Sequence, residues 1–279
     1  MDGKTTGRRG SWRLRAAASG AAAAVLLGGC SAGGANEAAG PSAKASRSPA
    51  PSASASGQAA GGAQPSATPF EAAANLVPRT KSQGSALAGA VVFRPQDWGR
   101  GFKAQQPARS TPGTIAVLDE QCRWERRALP KGVLASLSLY SELPGSGSRG
   151  AIKVTAAVTV HATELGADDQ LATTLEEVLR CPEQQVRTDE RITGLASVGT
   201  PFGVRGNTYA DDSVYELGSY LTGGGKASYR WMVTRLGTVT VAVSLKGTQG
   251  YTDDELQQYV TRGTTNMLDR VRFELGGKG

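Results

Sequence analysis

The chain has 279 residues, 39% hydrophobic and 20% charged, with a formal net charge of +7, a length that bounds one or two domains with a core of ordinary size. The charge is uneven: residues 1–29 hold five basic side chains and one acidic, whereas residues 115–279 hold 18 basic and 20 acidic. A near-neutral C-terminal part without a basic stripe interleaved with aromatics excludes a nucleic-acid partner.

Residues 1–29 read as a lipoprotein signal peptide. Lys4, Arg8, Arg9, Arg13 and Arg15 precede an apolar run of 14 residues from Ala16 to Gly29. At ~1.5 Å per residue that run is too short to cross a ~30 Å hydrocarbon core, and its basic flank is that of an export signal. Leu27-Gly28-Gly29-Cys30 resembles the bacterial lipobox, which implies lipid attachment, palmitate included, at Cys30. An ordinary secretory signal that contains a cysteine is the alternative, and Arg8-Arg9 leave the export route open. Residues 30–68 are almost entirely Ser, Ala, Gly, Pro and Gln, a composition that forms no core and reads as a disordered tether. As a flexible coil it spans about 35 Å, enough to hold a domain off the outer face of the cytoplasmic membrane. The expected partner of this half is therefore that membrane, reached through the lipid anchor.

Residues 69–112 read as a partly ordered arm. Thr68-Pro69-Phe70-Glu71 has the spacing of a capping box and suggests a short helix. Residues 80–112 read as irregular, with Trp98 and Phe102 as anchors onto the domain that follows. That domain, residues 113–275, is read as α+β: an antiparallel sheet of about five or six strands with two main helices, preceded by the tether. Strands are expected at Ile115–Leu118, Arg123–Leu129, Leu134–Leu143 and Ala151–Thr163. In the last of these Ile152, Val154, Ala156, Val158 and Val160 alternate with Lys153, Thr155, Thr159 and His161. A helix capped by Asp168 runs to Arg180 with Leu171, Leu175, Val178 and Leu179 on its stripe, and Pro182 ends it. Further strands fall at about 213–221, 227–235 and 238–246. A final helix from Asp253 to about Arg270 opens with the capping box Thr252-Asp253-Asp254-Glu255 and buries Leu256, Val260, Gly263, Met267 and Val271. In the hairpin YRWMVTRLGTVTVAV, a three-residue loop at Arg235–Gly237 puts Tyr229, Trp231, Val233, Val239, Val241 and Val243 on one face, and Trp231 in the core.

The chemistry is defined mostly by exclusion. Gly145, Gly147 and Gly150 match a dinucleotide fingerprint, but a strand follows where a helix is needed. Gly225-Lys226 lacks the rest of a phosphate loop. His161 is the only histidine, so neither a metal site nor a Ser-His-Asp site is assembled, and no cofactor is expected. Acidic pairs fall at helix starts and turns, with Asp211-Asp212 the least explained. Cys122 and Cys181 meet an oxidising compartment after export, where a pair reads as a disulfide. Trp124, His161, Tyr209, Tyr215 and Tyr220 are the candidate ligand-binding residues.

Cys122-Arg123-Trp124, Cys181-Pro182, YRWMVTRLGTVTVAV and the capped terminal helix are similar to the extracellular sensor domain of mycobacterial protein kinase H and its lipoprotein relatives. The likeness covers about residues 85–275, and with the lipobox and tether the chain resembles an actinobacterial surface lipoprotein. It implies a sheet with a helix-flanked cleft and a ligand-sensing role. The chain departs from that pattern with one candidate disulfide instead of two, and with no kinase or transmembrane segment in the sequence. The function expected is a membrane-anchored, non-enzymatic binding or sensing module for a small molecule, wall fragment or protein. The alternatives are a cell-wall or lipid-directed hydrolase, or a protein–protein interaction subunit.

Overall fold

In the computed structural model, which describes residues 70–198, 210–247 and 249–276, helix α1 (Lys81–Val91) precedes strands β1 (Lys103–Arg109), β2 (Thr114–Leu118), β3 (Trp124–Ala128), β4 (Val133–Leu143) and β5 (Ile152–His161). Helix α2 (Glu164–Arg180) leads into β6 (Gln184–Arg187), β7 (Glu190–Ser197), β8 (Asp212–Thr222), β9 (Gly225–Leu236) and β10 (Val239–Gly247), and helix α3 (Asp253–Leu275) follows. Eight strands make one sheet in the order β1-β4-β5-β10-β9-β8-β7-β6, and β2 and β3 form a separate hairpin. All neighbouring strands are antiparallel.

This corrects the expected five or six strands and two helices. The unanticipated strands β1, β6 and β7 occupy the two ends of the sheet. Two of them, KAQQPAR and QQVR, carry almost no apolar alternation, because an edge strand half open to water needs little. The third helix, α1, falls in the segment read as irregular. Its capping box is Thr80 with Gln83; of the Thr68 signal, Thr68 and Pro69 lie outside the described residues, and residues 70–80 form turns and irregular chain where a short helix was expected. Gly84 explains its weak pattern: a Cβ there would stand 2.8 Å from Leu134 Cβ, so the helix approaches β4 through small residues and shows no broad apolar stripe.

The main core lies between one face of the sheet and helices α1 and α3. Val154, Ala156, Val158 and Val160 of β5 and Val239, Val241, Val243 and Leu245 of β10 are at most 1% exposed, as the alternation in β5 requires. Trp98 is buried in the same core, edge-on to Phe93 at 4.8 Å, and sits against Gly263 of α3, where a Cβ would come within 2.5 Å of its ring. In α3 the capping box forms between Thr252 and Glu255, and Leu256, Val260, Gly263, Met267 and Val271 are buried.

Two expectations about side-chain facing are corrected. In the β9–β10 hairpin Leu236 pairs with Val239, Val233 with Ala242 and Trp231 with Ser244. The loop is Gly237-Thr238, with Gly237 at φ +57°. Trp231 and Val233 therefore face away from Val239, Val241 and Val243. Helix α2 packs on that second face through Leu171 and Val178, so both faces carry apolar residues, and alternation alone cannot set the register. Helix α2 also begins earlier than expected: Thr163 caps it by accepting from the N–H of Gly166 at 3.1 Å, and Asp168 lies within the helix 3.5 Å from Arg235. Leu175 and Leu179 are exposed, so the stripe is narrower than the sequence suggests.

Candidate functional site

The second face of the sheet, α2 and the β2–β3 hairpin enclose a cleft of about 850 Å3, within the ~300–1,000 Å3 range of ligand pockets. Its floor follows from the register. Successive rows across β4, β5, β10 and β9 read Glu142–Lys153–Lys246–Tyr229, then Tyr140–Thr155–Ser244–Trp231, then Ser138–Ala157–Ala242–Val233. The middle strands carry Lys, Thr, Ala and Ser where their other faces carry Val, Ile and Leu. Short side chains along Thr155, Ala157, Ala242 and Ser244 leave a trough, and Tyr140 and Trp231 stand on either side of it.

The hairpin roof is fastened at several points. Cys122, in the turn between β2 and β3, is bonded to Cys181 at the end of α2, with Cα atoms 5.5 Å apart, inside the range a disulfide needs. The N–H of Gln185 donates to the Cys122 carbonyl at 2.8 Å, and Arg180 donates to the Asp119 carbonyl at 3.0 Å. Trp124 Nε1 donates to Gln184 Oε1 at 2.8 Å. The Trp124 ring meets Trp231 edge-on at 5.5 Å, closing an aromatic corner over the floor.

Charged groups are concentrated in two places. At one end Lys246 lies 4.0 Å over the Tyr220 ring, beside Lys153, Arg187 and Glu190. Burial lowers the Lys246 ammonium to about 8 against the pull of Glu190, and Arg187 and Lys153 add to the lowering. Tyr220 is pushed up by burial and by the hydrogen bond it donates to Glu190. Deeper, under α2, burial raises Glu177 to about 7, opposed by Arg180 and by the N–H of Leu118. Burial raises the fully buried Glu216 to about 8, and the charge of Glu177 adds to it. Both Glu216 oxygens lack a hydrogen-bond partner among the described residues, so a proton on this carboxyl is the physical resolution.

Of the residues singled out from the sequence, Trp124, His161 and Tyr220 line the cleft. His161 is buried and its Nε2 lies 2.8 Å from Gln170 Oε1, which also accepts from Thr240 at 2.7 Å. Burial pushes its pKa down against the Gln170 bond. Burial favours the neutral ring, and the acceptor partner places its proton on Nε2, joining α2 to the sheet. Tyr215 lies on the other face, its hydroxyl bonded to Gln257 and accepting from Arg230 at 3.0 Å. Tyr209 and Cys30 lie outside the described residues. Asp211 is accounted for as an acceptor from Arg235 at 3.0 Å and from the N–H of Gly237 at 2.7 Å. Sequence reading missed Lys153, Lys246, Glu177, Tyr229 and Trp231 as cleft residues. The available signal was the row of small polar residues on one face of β5 and β10.

Among the described residues no helix is long and apolar enough to cross a membrane, and no group of three or more His, Cys, Asp or Glu side chains could hold a metal ion. No protein-family model and no curated protein matches the chain. Solved structures similar to it include the extracellular domain of PknH from Mycobacterium tuberculosis, at 14% identity and a TM-score of 0.44 over 67% of this chain and 96% of that one. An uncharacterised protein from Mycobacterium smegmatis aligns at 12% identity and a TM-score of 0.32 over 62% and 88% of the two chains. A protein of unknown function from Pseudomonas aeruginosa aligns at 12% identity and a TM-score of 0.25 over 49% and 83%. Likeness at this level defines no family.

Proposed function

We propose that the folded part is a non-enzymatic binding or sensing module, tethered to the outer face of the membrane through Cys30, whose cleft takes a ligand with an apolar body. The observation that carries this reading is the trough of Thr155, Ala157, Ala242 and Ser244 between Tyr140 and Trp231. A sheet face filled for stability alone would carry the branched residues that these same strands bury on their other side. Apolar walls with a few placed polar groups are what a small-molecule site requires. The lipobox-like leader, the tether composition and the disulfide all fit an extracytoplasmic address.

Native mass spectrometry of the full chain from its expressing host tests the reading. The expected result is a co-purified small molecule that is lost in Ala157→Leu, a substitution that fills the trough while leaving the circular dichroism spectrum unchanged. A ligand retained at wild-type occupancy in Ala157→Leu overturns it. The hydrolase alternative has one supporting observation, the carboxyl of Glu177 held near 7 in the cleft, where a general acid would be useful. Turnover of a wall or ester substrate that disappears in Glu177→Gln would establish that reading instead.

A further inference from the structure

The cationic end of the cleft narrows the ligand class. Lys153 and Lys246 are direct partners across β5 and β10, and both line the cavity. Like charges at directly opposed strand positions repel, so this pair costs stability wherever nothing neutralises it. The nearby acids are already engaged. Glu190 accepts from Arg187 at 3.1 and 3.2 Å and from Tyr220. Glu142, the β4 partner of Lys153, pairs with Lys103 at 3.3 Å. Neither cleft lysine forms an ion pair or hydrogen bond among the described residues. Among the described residues, Lys246 meets the Tyr220 ring and the charges of Glu190, Arg187 and Lys153. A partly buried ammonium with three donors and no acceptor is an anion site in chemical terms.

The rows beyond it are of the opposite character. One step along the floor, ~6.8 Å from the lysine pair, stand the hydroxyls of Thr155 and Ser244 beside Trp231. The next step brings Ala157, Ala242 and Val233. A ligand lying in the trough meets two cations, then two hydroxyls and an indole, then methyl groups. At the far end His161 is engaged with Gln170, and Lys131 and Asp169 line the cleft with opposite charges, so the paired cations are not repeated there.

We infer that the cleft binds a single-chain anionic amphiphile, its oxyanion head between Lys153 and Lys246 and its apolar chain along Trp231 and Ala242. This rests on the binding-module reading and specifies the ligand for the same cleft. The head is a carboxylate or a phosphate ester, both of which satisfy two ammonium groups.

The test is titration of the purified full chain with decanoate, decyl phosphate, decanol, decyltrimethylammonium and inorganic phosphate, followed by calorimetry and tryptophan fluorescence. Decanoate and decyl phosphate are expected to bind about tenfold or more tighter than decanol and the cationic analogue. Lys246→Met is expected to bring decanoate down to the level of decanol while leaving decanol unchanged. Should Lys246→Met fail to fold, Lys153→Met and the wild-type salt dependence carry the same test, since added salt should weaken the anions alone. Equal affinity for decanol and decanoate, or an anion preference that survives both lysine variants, overturns the inference but leaves the binding cleft standing. Inorganic phosphate binding as tightly as decyl phosphate also overturns it, because the chain would then contribute nothing. If none of the four decyl compounds binds, the inference falls, and the binding-module reading is decided separately by the co-purification test with Ala157→Leu.

Discussion

Glu216 places a carboxyl beneath α2 with no donor to either oxygen among the described residues. Glu177 of α2 faces it, and Tyr229 of β9 is pushed up by burial first and by the Glu216 charge second. The native state therefore keeps a proton that the unfolded chain releases near 4.5, and surrenders it only near 8. The sign follows: the folded form binds more protons, so stability is highest below the unfolded value and is lost as pH rises through the window to about 8. Glu216→Gln should remove the Glu216 part of that slope and leave the part due to Glu177, matching wild type below about pH 4.5 and exceeding it by a few kcal/mol above pH 8. Urea melts across that range give the answer, and parallel profiles for the two proteins would refute the assignment. Little of this was legible beforehand, because a Glu in EL after VY reads as an ordinary strand residue until the register puts it under a helix. Trp98 and Gly263 were each marked from sequence as packing residues, but only the fold brings ring and missing Cβ together.

At the scale of elements, legibility depended on how much of a pattern the element's own burial needs. The strands that bury a face strongly, β4, β5, β8, β9 and β10, were read within a few residues of their bounds. The edge strands carry no such signature, and the β9–β10 register was misread because its second face is apolar too. The observed pairing is shifted by three residues from the expected one, and any odd shift carries Trp231 from the core face to the cleft face of the sheet. The disulfide was read from compartment logic, and its mechanical role appears only with the β2–β3 hairpin folded against the end of α2. Closing a loop of about 60 residues is worth roughly 4 kcal/mol in the chain-entropy model. Cys122→Ser with Cys181→Ser should lower stability by about that amount and free the hairpin. Hydrogen exchange at Trp124–Ala128 should then rise far more than at β5 and β10. Uniform acceleration over the whole sheet would mean that the bridge acts globally and does not fasten a roof.

For the whole molecule, the proposed anchor and the proposed binding cleft are tested separately. The anchor has its own measurement: Cys30→Ala should leave an unprocessed chain that takes up no radiolabelled palmitate, and labelling at the wild-type level would sink the lipoprotein assignment. The sheet itself divides labour between its faces. Beneath α1 and α3 lies the apolar mass that drives folding, whereas the trough opposite is built of Thr155, Ala157, Ala242 and Ser244, whose exchange disturbs little of that mass. On the proposed reading, recognition in this scaffold is separable from foldability. A descendant chain that swapped those few short side chains, or the lysines at their end, would then change its ligand without having to reinvent its architecture.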